Sequence, residues 1–329
     1  MGRRLAALLF AVALGATPSR AAAQRLSIQG DRFAVDGAPR FLTFVTYFGA
    51  SGALDVDADL AFLRTAGFDG VRIWPNSPDG PRLMRSDGTL DAAALARVTF
   101  VLERARTHGL VVDVTFTAEH IQGLDAAHLA TAIVATARAL AAFDNVLFDI
   151  QNERNAHGPA GRPLAPADVA AIAASIKAAQ PWRIVTASNA PGMTPDEAAR
   201  FTSDARLDVT AYHDARTADW HTRERIEATV RAMRANGRPA YLQEPTRYPF
   251  PSADRAEYFV AARANAERAG AAAWCFHTEL GFDLSHARFA DRLRSRPQPE
   301  WAFVSALARG QASRSTTSGS SDAARRAGR

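Results

Sequence analysis

Short apolar runs recur along the chain, each closed by a polar loop and followed by a longer stretch with apolar residues at helical spacing. A short run rich in branched side chains fits a buried strand, whereas apolar residues three and four apart fit an amphipathic helix. Strands are expected at 41–48, 70–74, 110–116, 145–153, 183–187, 207–212, 240–243 and 271–277. Helices are expected at 57–66, 91–107, 126–143, 167–179, 195–201, 222–235, 253–269 and 289–308. Gly109, Asn236-Gly237 and Gly270 sit where helices should stop, and Thr194 stands as an N-cap ahead of Pro195. Before the first of these units, 26–41 alternates around Gly30-Asp31 and Asp36-Gly37 and reads as a hairpin.

Strict alternation of strand and helix implies parallel strands covered by helices. A doubly wound sheet would want a Gly-rich phosphate turn after an early strand, and none stands there. Eight strand–helix units after a hairpin predict an α/β protein, one (β/α)8 TIM barrel with the hairpin capping its bottom.

Composition adjusts this picture at the two ends. Residues 1–23 open with Arg3 and Arg4, run through apolar Leu5 to Leu14 and close on Ala21-Ala22-Ala23, the pattern of a secretory signal peptide. The catalytic domain is then expected at 24–309, and 310–329, Ser/Thr/Gly/Ala with scattered arginines, is expected to be a disordered tail. Of the formal charge of +5, three units belong to Arg3, Arg4 and Arg20 and three to the tail, which leaves the barrel near −1. Its charges are mixed, so a nucleic-acid partner is not expected, and no later stretch is long and apolar enough for membrane insertion. Cys275 is the only cysteine, so there is no intramolecular disulfide, and its apolar surroundings suggest a packed thiol.

In a parallel barrel the chemistry comes from residues just after each strand. These are Tyr47 and Phe48; Arg72, Trp74 and Asn76; Thr117, Glu119 and His120; Asn152 and Glu153; Ser188 and Asn189; Tyr212, His213 and Asp214; Glu244; and Trp274, His277 and Glu279. Strands four and seven lie across the mouth from each other, so Glu153 and Glu244 can enter one cleft. Two facing carboxyls are what cleavage of a glycosidic bond needs, one to protonate the leaving oxygen and one to stabilise or attack the oxocarbenium-like carbon. The bland alternative, that Asn152 and Glu153 only cap a strand, weakens once Glu244 is set opposite.

On Asn152-Glu153 after strand four and Glu244-Pro245 after strand seven, the chain resembles the clan A glycoside hydrolases, especially the cellulase-like family five. The resemblance covers roughly 26–308. It implies a retaining enzyme with Glu153 as acid/base, Glu244 as nucleophile, Asn152 on the sugar 2-OH, Arg72 steadying the nucleophile and Trp274 flooring the sugar site. Trp74 joins the substrate-binding set as an aromatic at a strand end. Family five usually offers His-x-Tyr after strand six, where this chain has Tyr212-His213; either could serve there, with His213 the one expected to line the cleft. Neither a cofactor nor a metal is called for, and the expected partner is a carbohydrate bound by an exported monomer. A carbohydrate-binding barrel without turnover and a metal-dependent hydrolase are the competing readings.

Overall fold

The computed structural model describes residues 24–78, 80–295 and 299–310. The proposed signal peptide and all of the tail beyond Gly310 lie outside the described residues. Three short antiparallel strands, β1 (Leu26–Gln29), β2 (Arg32–Val35) and β3 (Ala38–Pro39), precede eight parallel ones. The barrel strands are β4 (Leu42–Thr46), β5 (Gly70–Ile73), β6 (Val111–Thr115), β7 (Val146–Asp149), β8 (Ile184–Thr186), β9 (Thr210–His213), β10 (Ala240–Glu244) and β11 (Ala273–Phe276). Helices α1 (Val56–Thr65), α2 (Ala92–Thr107), α3 (Ala126–Ala139), α4 (Pro166–Ala179), α5 (Pro195–Asp204), α6 (Arg223–Met233), α7 (Ala256–Ala269) and α8 (Phe289–Ser295) alternate with them. The helix expected at 289–308 is two pieces, α8 and a segment at 300–310.

The strands run β8-β7-β6-β5-β4-β11-β10-β9, every neighbouring pair joined by a parallel ladder. The remaining seam, β8 to β9, is bridged by single bonds: Asp208 N–H donates to Val185 O at 2.9 Å and Thr186 Oγ1 to Val209 O at 2.8 Å. The barrel is therefore nearly closed. Short polar side chains start the helices: Asp55, Asp91, Asp125, Thr194 and Thr222 each accept a backbone N–H of the first turn.

Alternation divides each strand between two cores. Val71, Val112, Val114, Phe148, Leu242, Trp274 and Phe276 face the helices. Leu42, Phe44, Val111, Leu147, Tyr241 and Cys275 fill the barrel, and Leu26, Phe33 and Val35 of the N-terminal strands pack into the same cluster. The expected hairpin is thus a three-stranded sheet that plugs the barrel from its N-terminal end. Burying Phe33 contributes about 1.5–3 kcal/mol, so this plug is part of the fold's stability. With the bottom sealed by apolar residues, the polar inward positions collect at the opposite end.

Candidate active site

Arg72 is the centre of that polar end. Flanked by outward Val71 and Ile73 on β5, it points into the barrel and is fully buried. Its Nη1 donates to Glu244 Oε1 at 2.5 Å, Nη2 to Asn152 Oδ1 at 2.8 Å and Nε to Thr115 Oγ1 at 2.9 Å. The carboxylates of Asp149 and Asp113 lie 3.4 and 3.6 Å from it. Gln243 closes the network from across the barrel, its Nε2 donating to Asp113 at 2.8 Å and Asp149 at 3.0 Å. One guanidinium thus faces three buried carboxyls. Burial pushes the Asp113 carboxyl up to about 6, with Arg72 pulling it down and Asp149 raising it again. Burial likewise raises Asp149.

Gln243 and Glu244 are adjacent, yet both enter the barrel. A regular strand would send one of them toward the helices. The β10/β9 register shifts between Leu242 and Glu244, and this irregularity lets consecutive side chains share the inner face. Burial would raise the Glu244 carboxyl, but His213, His277 and Arg72 outweigh it and hold it far below the usual range. His277 is held down to about 3, first by burial. It is therefore neutral at ordinary pH, and Arg72 is the permanent cation on Glu244. An Arg247 N–H faces His277 Nε2 at 3.3 Å, so Nδ1 carries the ring proton, 3.3 Å from Pro245 O and 3.6 Å from Glu244 Oε2.

Glu153 faces the same space from β7. Its φ of 46° is the left-handed region, which costs a residue with a Cβ roughly 1–2 kcal/mol. The turn is held by Glu153 N–H to Ser188 Oγ at 3.1 Å and by Glu153 O, which accepts from Ala156 and His157 at 2.8 and 2.9 Å. His213 stands between the two glutamates, Nδ1 3.1 Å from Glu153 Oε1 and 3.6 Å from Glu244 Oε2. Both Nε2 hydrogens of Gln243 go to the aspartates, so its Oε1 accepts, and His213 Nε2 at 3.1 Å is the donor. That leaves His213 Nδ1 to share a proton with Glu153. Burial raises the Glu153 carboxyl, and Glu244's charge adds to this. The hydrogen bond and charge of His213 and the charge of His157 overcome both, so on balance the Glu153 carboxyl is lowered.

A second histidine reaches Glu153 from the outside. His157 Nε2 is 2.9 Å from Glu153 Oε2, and its Nδ1 is 2.5 Å from Glu119 Oε2. A neutral imidazole supplies one N–H, so this chain of three groups holds an additional exchangeable proton. On sequence, His157 and Glu119 read as ordinary loop residues. His157 follows Glu153 by four positions, a spacing that brings them together only because the loop takes a helical turn there.

The cleft gathers Arg72, Asn152, Glu153, His213 and Glu244. Trp74 stands above Arg72 on the same side of β5, stacked on Phe48 at 3.9 Å with Phe282 edge-on at 5.3 Å. Trp74 is nearly buried, and its Nε1 donates to nothing among the described residues. Two expected contacts are corrected. Trp274 is fully buried between barrel and helices, 5.6 Å from Phe303 and stacked along Phe276, because it alternates with inward Ala273 and Cys275. It cannot floor a sugar site. Tyr212, one residue before inward His213, likewise faces the helices beside Trp220 and Leu242. Trp220 packs on Phe259 and donates Nε1 to Ser252 O at 2.7 Å, which makes it a helix-packing residue.

One carboxylate oxygen from each of Glu153 and Glu244 and the Nδ1 of His213 lie within 4.8 Å of one another. Such donors suit a divalent transition metal as well as acid–base work. Arg72 already occupies the other oxygen of Glu244, so a cation here would meet a guanidinium.

The barrel is similar to those of glycoside hydrolases of known structure. A family 5 glycoside hydrolase from Bacteroides vulgatus superposes with a TM-score of 0.63 at 13% identity, over 80% of this chain and 64% of its own. The β-1,4-D-mannanase of Cryptopygus antarcticus gives 0.61 at 12% identity, over 87% and 94%. The β-mannanase of the blue mussel Mytilus edulis gives 0.57 at 16%, over 84% and 98%. The chain thus spans just under two thirds of the Bacteroides protein and nearly all of the two mannanases. No protein-family model and no curated protein matches the sequence. At these identities the likeness is one of fold.

Proposed function

We propose that the chain is an exported, monomeric retaining β-glycosidase that hydrolyses a poly- or oligosaccharide, with Glu153 as acid/base and Glu244 as nucleophile. The observation that carries the reading is the facing pair itself: carboxylate oxygens within 4.8 Å of each other across one cleft. Retaining enzymes separate their carboxyls by about 5–5.5 Å, whereas inverting ones need about 6.5–9.5 Å to seat a water. The mannanase and family 5 neighbours support the same class of substrate. No helix among the described residues is long and apolar enough to cross a membrane.

The electrostatics divide the labour. Glu244, held ionised beside Arg72, attacks the anomeric carbon while Glu153 protonates the leaving oxygen, giving a covalent glycosyl-enzyme. A sugar filling the cleft displaces water from around Glu153, which strengthens the effect of burial and favours its protonated form. Once Glu244 is esterified, its negative charge is gone, and Glu153 more readily acts as base toward the incoming water. Asn152, which accepts a hydrogen bond from Arg72, binds the hydroxyl next to the reacting carbon in this reading.

The test is proton NMR of the first product from an aryl β-glycoside. Retention is expected in wild type, no turnover in Glu244→Ala, and in Glu153→Ala residual activity on activated leaving groups with azide captured as a β-glycosyl azide. An inverted first product, or an active Glu244→Ala, refutes the assignment. Loss of activity on chelation would favour the metal-dependent reading that the Glu153, His213 and Glu244 donors leave open, and lack of turnover with retained oligosaccharide binding would indicate a pseudoenzyme. N-terminal sequencing of exported protein, with cleavage expected near Ala23, tests the signal peptide.

A further inference from the structure

The loops after β9 and β10 bring two arginines to the rim of the cleft, and neither takes part in the reaction described above. Arg216 lies with its guanidinium carbon 4.7 Å from the Phe250 ring centre, and Arg247 lies 5.4 Å from the same ring. Arg247 is accounted for: its Nε meets Glu279 at 3.3 Å and its Nη1 meets His277. Arg216 is not. It is half-buried, its Nε is shielded from solvent with no hydrogen-bond acceptor, and it has no ion pair among the described residues.

The backbone holds it there at a cost. Arg216 has a φ of 60°, left-handed for a residue with a side chain, and its N–H is fixed by Asp214 Oδ1 at 3.1 Å. Strain of this kind persists where the surroundings over-determine a position, commonly a ligand clamp. Burial and the nearby charge of Arg247 lower the Arg216 guanidinium, while Glu244 and Glu153 act in the other direction, so Arg216 is within electrostatic reach of both glutamates. Two guanidiniums lie beside one ring, and of the two only Arg247 has an ion pair among the described residues, which leaves Arg216 a half-buried cation that an incoming anion would satisfy.

We infer that Arg216, with Arg247 behind it and Phe250 beneath, recognises an anionic group on the sugar, so that the substrate of the proposed glycosidase is an acidic glycan carrying a carboxylate or a sulfate. This rests on the glycosidase reading for its chemistry but not for its test. Phe250 supplies an apolar face and the guanidiniums supply directed N–H groups, a combination suited to a charged pyranose. Arg216 is better suited than a lysine, because its planar fork can meet two oxygens of one anion.

The experiment is calorimetric binding to the full chain carrying Glu244→Gln, in which no turnover is expected. Probes are oligosaccharides from glucuronoxylan, pectate and alginate, each paired with its carboxyl-reduced counterpart, and sulfated galactan oligosaccharides paired with desulfated ones. At least one acidic member should bind more tightly than its neutral partner, by about tenfold to a hundredfold as for a charge-assisted contact, and which pair discriminates identifies the anion. Arg216→Gln should collapse that ratio, and Arg216→Lys should restore part of it. Equal binding of both members of every pair would overturn the inference without any Arg216 variant, as would a preference that survives Arg216→Gln. Wild-type turnover of neutral aryl β-glycosides is scored separately, so the glycosidase reading stands or falls apart from this one.

Discussion

Replacing Arg72 by Met tests the charge balance on which the site depends. Arg72 is fully buried and is the cation for Glu244, Asp113 and Asp149. Even with it present, Asp113 is raised from 3.8 to about 6, which at neutral pH costs roughly 3 kcal/mol. Removing one partner of a buried ion pair costs about 3–5 kcal/mol, because the others remain as uncompensated charges. For a barrel of this size that corresponds to a fall in Tm of roughly 6–20 °C.

The pH dependence has a definite sign. Glu244, whose ionisation is depressed in the fold, adds stability above the ordinary carboxylate range, and this is lost only as pH falls through its low folded value. Asp113, whose ionisation is raised, stabilises below about 4, and that contribution is lost as pH rises through about 6. Arg72→Met weakens the first effect and enlarges the second. The deficit should therefore be largest at pH 7–8 and shrink toward pH 4–5 as the carboxyls take up protons. Urea melts of both proteins across that range measure it. A loss below about 1 kcal/mol, or one equal at both ends, would show that Arg72 acts by packing and not as the counter-charge.

Three further outcomes are expected. His213→Ala removes a hydrogen bond and a charge that lower Glu153, so burial and Glu244 should then raise it and move the alkaline limb of kcat/KM to higher pH; a limb that stays or moves to lower pH refutes the role. His157→Ala, which removes the 2.9 Å contact to Glu153 and a charge that lowers it, should move the same limb to higher pH by less than His213→Ala does while KM stays nearly constant, and an effect confined to KM would place His157 on the substrate instead. Trp274→Ala should destabilise the protein by about 3–5 kcal/mol, as for a core aromatic; a change in KM at unaltered stability would return Trp274 to the sugar site.

Much of the architecture is legible in the chain because its causes are local. The alternation of branched apolar runs with helical spacing, and the Asp and Thr caps at Asp91, Asp125, Thr194 and Thr222, specify strand and helix from neighbouring residues alone. The count of units then leaves little but a barrel, and a barrel leaves Glu153 and Glu244 at the ends of facing strands. Asp113 and Asp149 also carried a readable signal, a lone carboxylate in an apolar strand. What the chain could not disclose is which way each side chain turns. Both faces of a parallel barrel strand are buried, so Tyr212 and Trp274 look alike whether they face the helices or the cleft. The β10 irregularity that brings Gln243 in beside Glu244 depends on pairing with β9, and the left-handed turn at Glu153 is held in part by Ser188, a partner distant in sequence. Tertiary packing decided these points, since the pairing of β10 with β9 and the Ser188 contact at Glu153 join residues that no local stretch contains.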